Sequence, residues 1–148
     1  MTVYSILRAT RYHDISCGHR VCGHENKCAH LHGHNYRVHF HCEAPTLDPL
    51  GRVIDFSVIK EKLCLWLEDN WDHRFLLWEG DPWAIKLLAV DHAGVVLLPF
   101  NPTAENMADH LLTWVGPHQL DGTGVRLIEV HVEETRKCGA SAIALEAL

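Results

Sequence analysis

The chain has 148 residues, 47% of them apolar and 22% charged, with a formal net charge of −6. That is the composition of a soluble globular protein long enough to bury a core without a metal or disulfide staple, and its negative balance argues against a nucleic-acid partner or a polybasic membrane contact. No apolar run reaches membrane-spanning length and nothing near the N-terminus resembles a signal peptide, so one cytoplasmic domain over residues 1–148 is expected.

In chain order, "TVYSILRATRYHDI" is rich in strand formers and predicts a first strand. "HNYRVHFHCEA" alternates, with Tyr36, Val38, Phe40 and Cys42 on one side and Asn35, Arg37, His39 and His41 on the other. That is the pattern of a half-buried strand. "TLDPLGRVID" predicts a turn or hairpin loop. From Phe56 to about Asn70 the period changes, and Ile59, Leu63, Trp66 and Leu67 fall on one helical stripe behind an Asp55 cap. "GVVLLPF" predicts a short buried strand. A second helix follows Thr103, with Met107, Ala108, Leu111 and Val115 on one face, and Gly116–Pro117 is expected to stop it. "GVRLIEVHVEETRKCGASAIALEAL" predicts two strands joined by a turn near Cys138–Gly139. The expected fold class is α+β, with two helices packed on one face of a mainly antiparallel sheet.

The six cysteines include no C-x-x-C pair, which predicts reduced thiols rather than a disulfide framework or zinc ribbon. The histidines are more informative, since eight of the thirteen lie between His13 and His41. Residues two apart on a strand share a side. His32 and His34 are such a pair, in parity with Tyr36, Val38 and Phe40, whereas His39 and His41 have the opposite parity. Two same-side imidazoles suit a divalent cation such as zinc, whose catalytic sites take three protein ligands and leave one position open. "SCGHRV" offers His19 as the third ligand, with His30 the main alternative and His24 a nearby distractor. Further on, Glu134 continues the parity of Ile128, Val130 and Val132, while Glu133 lies on the polar side. Glu134 is therefore expected to point into a pocket. Thr103 has the more ordinary reading of a helix cap.

The motifs together resemble a known family. "C-x-x-x-H-G-H", Cys28 through His34, is similar to the signature of the 6-pyruvoyl-tetrahydropterin synthase superfamily, and its spacing resembles the 6-carboxytetrahydropterin synthase branch. "ISCGHRV", "RVIDFSVIK", "WDHRFL", "NPTAENMAD" and "VHVEET" resemble further family motifs, in the family's order, across residues 15 to 135. The segment "LWEGDPWAIKLLAVDHAGV" lies outside these motifs. The resemblance implies the T-fold, whose strands join into oligomeric barrels, commonly a hexamer built as a dimer of trimers with sites between subunits. It implies zinc on His19, His32 and His34, and Cys28 as catalytic base with the Asp72–His73 pair completing a proton relay. It also implies Glu134 as the pterin anchor, and Thr103 and Glu105 as residues lining the same pocket. Cys17 and Cys22 are weaker candidates for the base.

The expected reaction is zinc-dependent carbon–carbon lysis of the pterin substrate 7,8-dihydroneopterin triphosphate, giving 6-carboxytetrahydropterin, acetaldehyde and triphosphate for 7-deazaguanine (queuosine) synthesis. The alternatives are a 6-pyruvoyl-tetrahydropterin synthase, which eliminates triphosphate and keeps the side chain, and a non-catalytic zinc-binding module. Arg20, Lys27 and Arg74 are basic and near the motifs, but the sequence does not rank them as triphosphate ligands.

Overall fold

A computed structural model describes residues 1–145; the end of the predicted last strand, at 146–148, lies outside the described residues. Six strands form one sheet: β1 (Ala9–His19), β2 (His32–Glu43), β3 (Phe75–Trp78), β4 (Val95–Leu98), β5 (Arg126–Glu133) and β6 (Gly139–Ile143). Their order is β4-β3-β1-β2-β5-β6. The pairs β1–β2, β2–β5 and β5–β6 are antiparallel, whereas β1–β3 and β3–β4 are parallel. The predicted α+β class and one-sided helical cover are therefore present, with a parallel corner that the sequence did not announce.

β1 differs from expectation at both ends. It starts at Ala9 rather than Thr2, because Ala9 pairs with Cys42 close to the end of β2 and the residues before it have no described strand partner. Val3, Tyr4 and Ile6 are accordingly exposed. At its other end β1 runs on to His19, because β2 begins early enough for His32 to lie opposite it. Strand formers make a strand only where a partner accepts their backbone bonds.

The first helix, α1, spans 56–70. It is α-helical over Phe56–Ile59 and Leu65–Asn70, with a π segment at Lys60–Cys64 between them. The Asp55 carboxylate accepts the Ser57 N–H, as expected of the cap. Ile59, Leu63 and Leu67 are buried against the sheet. A short helix, α2 (Ala84–Val90), comes from the segment that the sequence left unassigned, and β3, which runs into the start of that segment, is a strand the sequence did not announce. Four-residue apolar runs such as "FLLW" carry no usable period. The expected strand in "GVVLLPF" exists as β4, but at the sheet edge, where Leu98 is buried and Leu97 is exposed.

The last helix, α3, spans 104–119, with a π segment at Leu111–Val115. Gly116–Pro117 does not stop it: one further α turn, Gly116–Gln119, follows. The preceding π turn is what makes room. Its wider bonding, with the Gly116 N–H on the Leu111 carbonyl, loosens the ladder where the proline ring would otherwise clash and where its missing N–H would be counted. Met107, Ala108, Leu111 and Val115 all face the core. They meet Tyr36, Val38, Phe40 and Cys42 of β2, and Val130 and Val132 of β5, in one cluster. No described helix is long and apolar enough to cross a membrane.

Candidate metal centre and surrounding site

The β1–β2 ladder assembles the histidines. His19 lies directly opposite His32, and Cys17 opposite His34. The ring centroids of His19, His32 and His34 are 4.6, 5.1 and 4.9 Å apart. One ligand nitrogen from each lies within 4.8 Å of the other two. This is the only such cluster of three or more ligating groups among the described residues.

The second nitrogen of two of these rings is already committed. His19 Nδ1 is 2.7 Å from the Pro102 carbonyl and His32 Nδ1 is 2.7 Å from the His30 carbonyl. A carbonyl can only accept, so both Nδ1 atoms carry the proton and both Nε2 atoms present a lone pair. His19 Nε2 and His34 Nε2 are buried without a hydrogen-bond partner. Buried nitrogens left open in this way, converging from three rings, fit a metal. Burial also pushes His19 down to about 4, against the raising effect of Pro102 and with His32 and His34 adding to the fall. His34 is likewise lowered by burial, although Glu134 pulls it up. Both are thus neutral imidazoles near pH 7, as ligation requires. His30 contributes its backbone and not its ring, and His24 Nδ1 accepts the Asn26 N–H, so neither belongs to the cluster.

Glu134 lies just past β5, with Oε1 3.4 Å from His34 Nε2. Glu133 faces the other side of the sheet, 3.4 Å from His39 Nε2. Tyr36 is fully buried beneath the cluster, its ring edge-on to His19 and His34 at 5.9 and 5.4 Å. Its hydroxyl has no partner, and burial together with the nearby Cys17, Glu134 and Cys28 pushes its pKa up.

Cys28 sits in a 3₁₀ turn, Lys27–Ala29, and is half-buried. Asp72 and His73 form a separate pair. One Asp72 oxygen accepts the Ser16 N–H at 2.9 Å, and the other is 2.8 Å from His73 Nδ1. Burial would raise the Asp72 carboxyl, but the Ser16 N–H and His73 outweigh it and hold it below the usual carboxylate range. His73 has φ of 57°, an uncommon conformation outside glycine, and its side chain is 81% exposed. No described hydrogen bond or ion pair joins this pair to Cys28 within the chain.

Thr103 caps α3 by accepting the Asn106 N–H. Its neighbour Pro102 supplies the carbonyl that orients His19. Glu105 lines a different cavity, of about 1040 Å³, between α3 and β5–β6, with no histidine in its walls. Of the two weaker thiol candidates, Cys17 is buried and pushed up to about 12, chiefly by burial. The backbone of Cys22 is tied by two bonds to the Asn101 side chain. Asn101, Pro102 and Asp81 are contributors that sequence reasoning missed. The first two act partly or wholly through backbone carbonyls, which leave no trace in residue type.

A profile of the 6-pyruvoyl tetrahydropterin synthase family matches residues 8–144. The 6-carboxy-5,6,7,8-tetrahydropterin synthase of Rickettsia bellii is 36% identical over 135 residues, covering 90% of this chain and 97% of that protein. The Rickettsia felis protein of the same name is 34% identical over 134 residues, with the same coverage. Among solved structures, an uncharacterised protein of Wolinella succinogenes superposes with a TM-score of 0.83 at 25% identity, over 95% of this chain and 99% of that one. The 6-pyruvoyl tetrahydropterin synthase of Caenorhabditis elegans gives a TM-score of 0.68 at 24% identity, covering 97% and 99%, and so shares the fold. The chain belongs to the 6-pyruvoyl tetrahydropterin synthase family and has its T-fold.

Proposed function

We propose that this member of the family is a cytosolic, zinc-dependent 6-carboxy-5,6,7,8-tetrahydropterin synthase acting as one domain over residues 1–148. It would convert 7,8-dihydroneopterin triphosphate and water to 6-carboxytetrahydropterin, acetaldehyde and triphosphate, in the service of 7-deazaguanine (queuosine) synthesis. The relatives' names support the reaction. The observation that carries the reading is the clustered trio of His19, His32 and His34 with Glu134 beside it. A metal-storage module needs no carboxylate poised there.

In this reading His19, His32 and His34 would hold zinc, and its charge would serve to polarise a hydroxyl or carbonyl oxygen of the substrate side chain. Glu134 accepts paired N–H donors from the pterin's amino-pyrimidinone edge and so fixes the ring's orientation. Cys28 takes and returns the proton on the side-chain carbon. His73, held in tautomer and direction by Asp72, completes the relay. Because His73 is exposed and makes no described contact with Cys28, we take the site to be completed between copies in a homo-oligomer, a hexamer by resemblance. Incubation of the purified protein with dihydroneopterin triphosphate should release acetaldehyde. Triphosphate with a pyruvoyl product would select the alternative synthase, and bound zinc without turnover would select the non-catalytic module.

The two adjacent glutamates supply a sharper check. Glu134→Ala should weaken pterin binding by about 1.5–3 kcal/mol, the scale of a hydrogen bond to a charged partner, or roughly 10- to 150-fold. Glu133→Ala should change pterin affinity little, since its partner is His39 on the opposite face. Titration calorimetry with a pterin ligand compares them directly, and equal losses would remove the strand-parity argument.

A further inference from the structure

Arg20 follows His19 in the chain, carries a full charge and is only 7% exposed. Its partner, Asp81, is 4% exposed and comes from the turn between β3 and α2. Arg20 Nε donates to Asp81 Oδ2 at 2.5 Å and Nη2 donates to Oδ1 at 3.1 Å, a two-pronged contact. Nη1 donates to the Ala29 carbonyl at 2.9 Å. The Trp83 ring covers the guanidinium face, 3.6 Å from Cζ, and the Trp83 N–H in turn donates to Asp81 at 2.8 Å. The cation is thus occupied at its edges and on its face.

Ala29 is the residue after Cys28, and the Cys28 carbonyl itself accepts the Val21 N–H at 2.8 Å. Two successive carbonyls of the thiol-bearing turn therefore hang on two successive residues, Arg20 and Val21, that prolong β1 beyond the metal cluster. The histidines are held differently. They sit on the β1–β2 ladder, oriented by Pro102 and His30, and none of those bonds passes through Arg20.

We propose that Arg20, Asp81 and Trp83 are positioning residues: a clamp, supplied largely by the β3–α2 segment, that sets where the Cys28 thiol stands relative to the three histidines. Arg20 is accordingly withdrawn from anion binding, which leaves Lys27 and Arg74 of the three basic residues near the motifs. The proposal rests on Cys28 being the proton-transfer group. Its physical basis is that a buried guanidinium is tolerated only when paired. Without Asp81 the Arg20 head must move toward water, and the Ala29 carbonyl loses its donor. Lysine could not replace arginine, because a point charge cannot meet a carboxylate in two prongs and a carbonyl on a third edge at once.

The test compares Asp81→Asn, Arg20→Lys and Trp83→Phe by three readouts. Bound zinc per subunit should stay unchanged in all three. Alkylation of Cys28 by iodoacetamide, followed peptide by peptide, should change at least tenfold in Asp81→Asn and Arg20→Lys, with exposed Cys138 as the internal standard. Trp83→Phe, which keeps an aromatic face, should resemble the parent. In the first two variants kcat should fall 10- to 100-fold while KM moves less than threefold. If Asp81→Asn does not fold, the double variant Arg20→Met with Asp81→Leu removes both charges, which apolar replacement of a buried pair commonly tolerates. It should keep zinc and still lose the native Cys28 alkylation rate. Unchanged Cys28 alkylation in folded variants overturns the clamp, as does a rise in KM with kcat preserved, which would return Arg20 to the anion. Alkylation reports the turn's geometry whether or not Cys28 is the base, so a failure of the catalytic reading remains distinguishable.

Discussion

Cys28→Ala should keep its zinc and its pterin affinity and lose turnover by orders of magnitude. Sulfur is a good zinc ligand, so coordination by a cysteine four residues before a zinc histidine would be an ordinary arrangement. Cys28 is not in the ligating cluster, whereas three imidazoles are, and a fourth protein ligand would close the position that a substrate oxygen needs. The turn that carries Cys28 is held by its own backbone bonds to Val21 and Arg20, so removing the thiol leaves the local structure intact. Cys28→Ser should also be poor, because a hydroxyl is a far weaker acid than a thiol and is rarely ionised near pH 7. Elemental analysis, pterin titration and an acetaldehyde assay on the same preparation separate the possibilities. Zinc lost with the thiol would make Cys28 a ligand and the centre structural. Turnover retained would transfer the base to another group, such as Cys22 or His73; Cys17 is unsuited, since burial keeps its thiol protonated.

Much of this centre was legible in the sequence because strands convert spacing into direction. H-x-H on an alternating strand puts two rings on one face, and Tyr36, Val38, Phe40 and Cys42 state which face is the core. The same parity separated Glu134 from Glu133. What stayed illegible depended on groups without a residue-type signature. The Pro102 and His30 carbonyls that set the histidine tautomers belong to every residue alike. β3 was missed because four residues hold no period, and its parallel pairing with β1 rests on a packing detail. Phe75 lies against Gly18 so closely that a Cβ there would fall 2.5 Å from the ring. The helix through Gly116–Pro117 was misjudged because a π turn absorbs the proline, and nothing in local propensity announces a π turn. Asp81 lies in the segment outside the motifs, and only the fold brings it to Arg20.

Substituting any one of His19, His32 and His34 by alanine should empty the metal site, while His24→Ala and His30→Ala leave it full. Losing a supporting partner of a metal ligand costs roughly 10- to 100-fold in affinity, so losing one of three ligands should cost more. Metal content after dialysis reads this directly, and zinc retained in His19→Ala but lost in His30→Ala would reverse the assignment. The three variants should differ in the metal-free protein. His19 is fully buried and its pKa is pushed down to about 4, so it stays neutral when folded but binds a proton in the unfolded chain below about 6.5. A group with a depressed folded pKa of this kind contributes its stability above the unfolded value, and that contribution is lost as pH falls from about 6.5 toward 4. Metal-free protein should therefore melt at lower temperature across this window, and His19→Ala should flatten that part of the profile. Zinc affinity should fall in the same direction, because protons compete for the same Nε2 lone pairs that burial keeps open at neutral pH. A melting temperature that rose on acidification, or a profile that His19→Ala left unchanged, would mean that another group carries the dependence.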